Sequence, residues 1–141
     1  MNIRTVENAI IEKLKLSFPE ILVEGFPDKP SEFILLHQIG ALLVHYQGSN
    51  YTSTQALGFV TQVNQKEFSV TIVTRNLRNN NGAYEYLDNV KAVLSGFQID
   101  ECTSLIPTKD YFISENKGIW QYGINFTLKT QNIQNYNPIG G

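Results

Sequence analysis

The clearest pattern in the chain is a strict alternation of apolar and polar residues near its C-terminus. One set of alternate positions is almost entirely aromatic or aliphatic: Trp120, Tyr122, Ile124, Phe126 and Leu128. The positions between them are polar or glycine: Gln121, Gly123, Asn125, Thr127 and Lys129. Because successive side chains of a strand point to opposite faces, this pattern predicts a half-buried antiparallel strand. Asn116-Lys117-Gly118, directly before it, is typical of a turn.

Two segments show the three-and-four spacing of an amphipathic helix instead. The first carries an apolar stripe of Ile3, Val6, Ile10 and Leu14. It should end at Phe18, because a residue before proline is disfavoured in the helical region. The second carries an apolar stripe of Ala83, Leu87, Val90 and Leu94. It should end at Gly96, which adopts a left-handed cap without a β-carbon penalty.

The remaining strands are predicted from shorter apolar runs. They cover residues 21–24, 40–46, 57–63, 68–74 and 105–113. Residues 64–67 separate two of these runs and are predicted to form a hairpin turn. Residues 47–50 are expected to interrupt the chain after the run at 40–46. Strands and helices in this order indicate an α+β fold, with two helices packed on one face of a mostly antiparallel sheet.

The chain has 141 residues, a length that fits a single domain. We predict one domain over residues 1–130 and a flexible C-terminal tail over residues 131–141, which are polar and end in two glycines. The structural core is predicted to contain Trp120, Tyr122, Ile124, Phe126, Leu87 and Leu94. For a core tryptophan, we expect Trp120→Ala to cost about 3–5 kcal/mol.

The charge balance argues against a dedicated nucleic-acid-binding protein. The net charge is -2, whereas such domains usually have a strong basic excess. Charge is unevenly distributed along the chain. The charged residues within 98–115 are four acids and one lysine, whereas residues 116–141 contain two lysines and no acid. Opposed patches suit head-to-tail self-assembly, although ordinary surface variation explains them equally well. A single cysteine excludes an internal disulfide and fits a reducing compartment, and no apolar run approaches a membrane span.

Candidate chemistry is sparse. Cys102 would serve as a nucleophile only if His37 or His45 lay beside it. Its acidic neighbours at positions 100 and 101 raise the pKa of a thiol and so lower its reactivity. The simpler interpretation is that Cys102 is a semi-buried thiol and that His45 is a core or interface histidine whose ring has hydrogen-bond partners. Two histidines and one cysteine lack the spacing of a zinc site. We therefore expect no catalytic residue, metal or cofactor, with a thiol enzyme or small ligand-binding module as the alternative.

Several motifs resemble, in order, the tail terminator family of Mu-like contractile-tailed bacteriophages. They are the run at 40–49, a hairpin ending at Thr74-Arg75, Gly82-Ala83-Tyr84, the run at 94–97 and Gly118-Ile119-Trp120-Gln121-Tyr122. The resemblance spans about residues 35–130 of the chain and does not extend into the tail.

This resemblance implies a structural virion protein that forms a ring, expected to be hexameric, at the neck end of the tail. Such a ring caps the tail tube, stops its polymerisation and joins the tail to the neck. Its implied partners are copies of itself and the tube, sheath and neck or connector proteins, with DNA only passing through the lumen and no membrane contact. A neck or head-tail joining protein is the alternative.

Four cations are candidates for contacts with other subunits or with the tube: Arg75, Arg78, Lys117 and Lys129. Arg75 and Arg78 follow a predicted strand, where they either contact a partner or simply face solvent. The segments at 26–36, 47–55 and the C-terminal tail are expected to become ordered on docking.

Overall fold

A computed structural model of the protein describes residues 2–56 and 59–135. A five-stranded sheet forms the middle of the fold, in the order β1-β2-β3-β5-β4. The elements are α1 Ile3–Ser17, β1 Leu22–Gly25, a 3-10 helical turn Pro30–Glu32, β2 Gly40–Ala56, β3 Phe59–Thr74, α2 Ala83–Leu94, β4 Ile106–Asn116 and β5 Ile119–Asn135. Among the described strands, β1 and β2 pair in parallel, and the β2–β3, β3–β5 and β4–β5 pairings are antiparallel. The predicted α+β class is confirmed.

Both helices pack on the same face of the sheet. Asn2 caps α1 with its side-chain oxygen, which accepts a 2.8 Å hydrogen bond from the backbone N–H of Thr5. The helix ends at Ser17, with Phe18 as the cap residue before Pro19. Its buried residues join those of α2 and of β2, β3 and β5 in one apolar cluster. Burial of this shared apolar surface holds the two helices on the sheet.

The second helix presents a slightly different stripe from the predicted one. Tyr86 is 2 % exposed, whereas Leu87 is only half-buried. The buried face therefore follows Ala83, Tyr86, Val90 and Leu94. Tyr86 takes the position because its hydroxyl donates a 2.7 Å hydrogen bond to Glu20, which satisfies the polar end of a buried ring. Burial, together with this carboxylate, raises the pKa of Tyr86.

The predicted hairpin at residues 64–67 is wrong, because these residues continue β3. Asn64 pairs with Tyr51 on one side and with Thr130 on the other. Pairing on both edges fixes these residues in a strand despite their polar composition. The predicted interruption at 47–50 is also wrong, since β2 continues to Ala56 with a bulge between Tyr46 and Gly48. The hairpin joins β2 to β3 instead.

The predicted core residues divide into two groups. Ile124, Phe126 and Leu94 are at most 1 % exposed and lie in the main apolar cluster. Trp120 and Tyr122 are only half-buried and are not part of it, which corrects their predicted core position. Trp120 pairs with Thr74 at the last position of β3, so this end of β5 lies at the margin of the layer that the helices cover.

The opposite face of the sheet is covered by the segment between β1 and β2. Leu35 packs there with Ala41, Leu43 and Val73, so part of the segment at 26–36 is ordered in the single chain. At the other end of the chain, β5 runs to Asn135 and therefore continues past the predicted domain boundary at residue 130. Residues 136–141 of the predicted tail lie outside the described residues.

Candidate interaction surfaces

An aromatic cluster lies where the β4–β5 hairpin meets the start of α2. The ring of Phe112 lies edge-on to Trp120 and Tyr122, with centroid distances of 6.3 and 5.5 Å. Tyr84 from the first turn of α2 contacts Tyr122 at 6.3 Å. Phe112 is 55 % exposed and Tyr84 is 43 % exposed. Large exposed rings held in fixed edge-to-face contact form a preorganised surface for a protein partner.

Arg78 adds a cation to this aromatic cluster. Its guanidinium carbon lies 5.7 Å from the centroid of the Tyr84 ring, within the range of a cation–π contact. Desolvation is the largest cause that raises the pKa of Tyr122, and the neighbouring Tyr84 raises it further. The positive charge of Arg78 lowers the pKa of Tyr122. Of the four predicted contact cations, Arg78 is thus the one placed against exposed aromatic side chains.

Arg75 has a different environment. Its Nη2 donates a 3.0 Å hydrogen bond to the backbone carbonyl of Leu35, and its Nε donates a 3.3 Å bond to the carbonyl of His37. The side chain therefore fastens the segment between β1 and β2 to the end of β3. Beside this anchor, Ile34 and Leu36 are 72 % and 87 % exposed. Arg75 holds this apolar loop in place, which is a role the sequence did not reveal.

The two predicted lysines are not neighbours of each other. Lys117 occupies the β4–β5 turn with a positive φ of 53°, and Lys129 lies on β5 opposite Gln65. Eleven residues lie between them, so an extended chain places them about 40 Å apart. Lys117 and Lys129 therefore do not belong to one basic patch.

A polar network crosses four strands on the face of the sheet away from the helices. Ser69 is fully buried and donates a 2.5 Å hydrogen bond to the side-chain oxygen of Asn125. The same oxygen accepts a 3.0 Å bond from the hydroxyl of Tyr111, and Gln47 donates to Ser69 at 2.7 Å. Glu67 lies 3.4 Å from the Asn125 amide nitrogen. These bonds tie β2, β3, β5 and β4 together across the sheet.

An open cleft of about 280 Å³ adjoins this network. It is lined by Gly48, Ser49, Asn50, Gln65, Glu67, Thr108 and Thr127. Glu67 is the one charged residue in this lining. Within the described residues, no group of three or more His, Cys, Asp or Glu side chains is arranged to hold a metal ion. The cleft therefore has amides, hydroxyls and one carboxylate, and the Thr108 hydroxyl lies 3.4 Å from the Glu67 carboxylate.

The structure does not bring the predicted thiol and imidazoles together. Cys102 is buried in the cluster on the helix side of the sheet, and this burial raises the pKa of its thiol. His45 pairs with Ser69 and contacts Gln47 on the opposite side. The ring of His37 accepts a 3.1 Å hydrogen bond from the backbone N–H of Ile39 in the loop before β2. The sheet thus separates Cys102 from His45.

The far end of the sheet is a three-stranded extension, which we call the arm. It consists of residues 48–56 of β2, 59–67 of β3 and 131–135 of β5. The pairing of β1 with β2 ends at Val44. The pairing of β4 with β5 ends at Thr127, followed by one isolated bridge between Cys102 and Thr130. Within the described part of the chain, the outer edges of β2 and β5 in the arm have no strand partner.

Comparison with family models assigns the chain to a known family. A family model described as Gp37 protein matches residues 10–139. The comparison with curated proteins found no match. In the ranges that the structure describes, no helix is long and apolar enough to cross a membrane.

Proposed function

The chain belongs to the Gp37 protein family, a family of phage proteins, and from this membership we propose that it is the tail terminator of a contractile-tailed phage. In this role, copies of the chain form a ring that caps the tail tube and stops its growth. The match carries the proposal because it covers residues 10–139 and therefore almost the entire chain. Membership in the Gp37 protein family is less specific than a tail terminator role. It is compatible with the resemblance of the motifs at 35–130 to tail terminators.

The distribution of exposed apolar side chains supports a protein that works through contacts. Phe112, Ile113 and Tyr84 are exposed at one end of the sheet. On the other face, Ile34 lines a cleft with Ile119 from the start of β5, and Leu36 is also exposed. Clustered exposed apolar groups mark interaction sites more often than isolated ones do. This end of the molecule therefore suits a neighbouring protein, which we propose to be a tube, sheath or neck subunit.

The arrangement of titratable groups favours assembly over catalysis. Cys102 and His45 lie on opposite sides of the sheet, and the cleft beside the polar network has one carboxylate. A thiol enzyme needs a base within hydrogen-bond reach of the nucleophile. The sheet separates Cys102 from His45, the pair that a thiol enzyme would use, and we propose that the protein acts at the neck end of the tail without a catalytic step and without a cofactor.

Purified tube protein offers a direct experiment. The chain is added during polymerisation of the tube, and the length distribution and the tube ends are measured by electron microscopy. The proposal requires shorter tubes with a ring at one end. Tubes of unchanged length would overturn it, and binding of the chain to the portal side alone would favour a head-tail joining protein. Arg78→Ala is the variant to compare, with Lys91→Ala on the outer face of α2 as its charge-matched control.

A further inference from the structure

The two free edges of the arm share a chemistry that the outer edge of β4 lacks. Residues 48–56 of β2 and residues 131–135 of β5 contain no charged residue and no proline. β4, which forms the other end of the sheet, contains Pro107, Lys109, Asp110 and Glu115 and has two irregularities in its register. Prolines, charges and bulges are the devices that protect an exposed edge from pairing. The edge of β4 is protected, and the edges of the arm are not.

We propose that the two unprotected edges pair with each other between copies, so that β2 of one arm lies beside β5 of the next. This inference rests on the proposed ring and identifies the strands that close it. A second copy is the favoured occupant because one arm offers both edges, on opposite sides of β3. A foreign strand would satisfy only one of them, and a β2–β2 pair would leave both β5 edges unpaired.

Strand direction fits this arrangement. β2 and β5 are both antiparallel to β3, so they run in the same direction within one arm. When neighbouring copies are related by rotation about an axis parallel to the strands of the arm, every strand keeps its direction. β2 of one copy and β5 of the next therefore form a parallel pair. The five residues of β5 give about 17 Å of pairing per junction.

Closure of the ring then removes every exposed edge of the arm. Three strands from each copy form one continuous barrel, and a closed barrel has no edge strand. The contact is heterologous, which is the type that generates a ring when its rotation closes. Each junction is short, but closure makes the last contact intramolecular and raises its effective concentration.

Single lysines placed on the two edges test the pairing in the full-length chain. Thr52→Lys places a charge on an exposed position of β2, and Gln131→Lys places one on β5 in the same cross-strand row, since both residues pair with Val63. Asn89→Lys on the exposed face of α2 is the charge-matched control. The dissociation constant of the assembly is measured by sedimentation over a dilution series. We expect each edge variant to weaken assembly by at least about tenfold, because a lysine in a strand junction loses hydration without a partner, and the control to leave it unchanged.

A double variant separates charge from local damage. Thr52→Lys with Gln131→Glu should assemble more tightly than Thr52→Lys with Gln131→Lys, because both positions belong to the row of Val63 and opposite charges on the same face of neighbouring strands attract. Equal assembly of the two double variants would count against the proposed junction. A wild-type ring whose dissociation constant is unaffected by either single lysine would overturn the junction while leaving the tail terminator proposal intact. A wild-type protein that stays monomeric and leaves tube length unchanged would overturn both.

Hydrogen exchange of the wild-type protein gives a second measurement, in case a variant fails to fold. Amides in residues 48–56 and 131–135 should gain protection on assembly, because half of the edge amides acquire partners in the neighbouring copy. Amides on the outer edge of β4 should not change. Protection gained by β4 and not by the arm would overturn the inference, as would a dimer protected only in β2.

Discussion

Tyr111 lies directly across Gly123 on the neighbouring strand. The two residues are paired in register between β4 and β5, and a β-carbon added to Gly123 would lie 2.5 Å from the ring carbon Cζ of Tyr111. The ring can occupy this position only because residue 123 has no side chain. From there its hydroxyl reaches Asn125 at 3.0 Å, which makes Gly123 a requirement for the polar network.

Gly123→Ala should therefore lower the free energy of unfolding by about 1–3 kcal/mol, because the added methyl group displaces the Tyr111 ring. Denaturant unfolding measures the loss. The same substitution in a Tyr111→Ala background should cost much less, since the clash is gone. Equal costs in the two backgrounds would show that the ring does not cover the glycine.

The buried hydroxyl of Ser69 should also matter for stability. Ser69→Ala removes the donor to Asn125 and the acceptor for Gln47, and buried groups left without partners cost about 1–3 kcal/mol. Ser31→Ala, in the exposed 3-10 turn, is the matched control and should change the free energy of unfolding by less than about 0.5 kcal/mol. A neutral Ser69→Ala would mean that the network contributes nothing to the fold.

Truncation of two aromatic residues on β5 should separate core from surface. Phe126→Ala should cost about 3–5 kcal/mol, because Phe126 is fully buried. Trp120→Ala should cost only about 1–2 kcal/mol, because Trp120 is half-buried, which revises the larger loss expected for a core tryptophan. Urea unfolding of both variants compares them, and an equal loss would place Trp120 in the core after all.

Stability should depend on the protonation of His45. Burial lowers the pKa of His45, and its Nδ1 is a buried atom without a hydrogen-bond partner in the described structure. The unfolded chain therefore binds a proton more readily than the folded one, and the free energy of unfolding should fall as the pH drops below about 6.5. Unfolding curves at several pH values measure this slope, which His45→Leu should reduce. An identical slope in the variant would assign the pH dependence to other groups.

The sequence predicted those parts of the fold that local periodicity determines. The alternation along residues 119–129 gave the strand, and the spacing of Val6, Ile10 and Leu14 gave the first helix. Asn64 and Lys66 look like a turn by composition, yet they lie in β3 because β2 and β5 pair with them from both sides. Such non-local pairing overrides local preference and cannot be recognised from neighbouring residues alone.

The candidate surfaces were harder to predict for the same reason. The aromatic cluster needs Tyr84 from a helix and Phe112 from a strand to meet Tyr122, and nothing in their spacing along the chain indicates this contact. The sequence indicates Arg78 as a contact residue only through its position after a strand. Arg75, identified by the same argument, instead binds the backbone of Leu35 and His37. The free edges of the arm follow from strand order, which only the folded sheet reveals.

The length of tails made without this protein is the most direct test of the proposed function. In a phage carrying a deletion of its gene, tails are imaged by electron microscopy and their lengths measured against those of the intact phage. We expect tubes of uneven and often excessive length that lack a ring at the neck end, and we expect the wild-type chain to restore uniform tails. Tails of normal and uniform length in the deletion strain would contradict it.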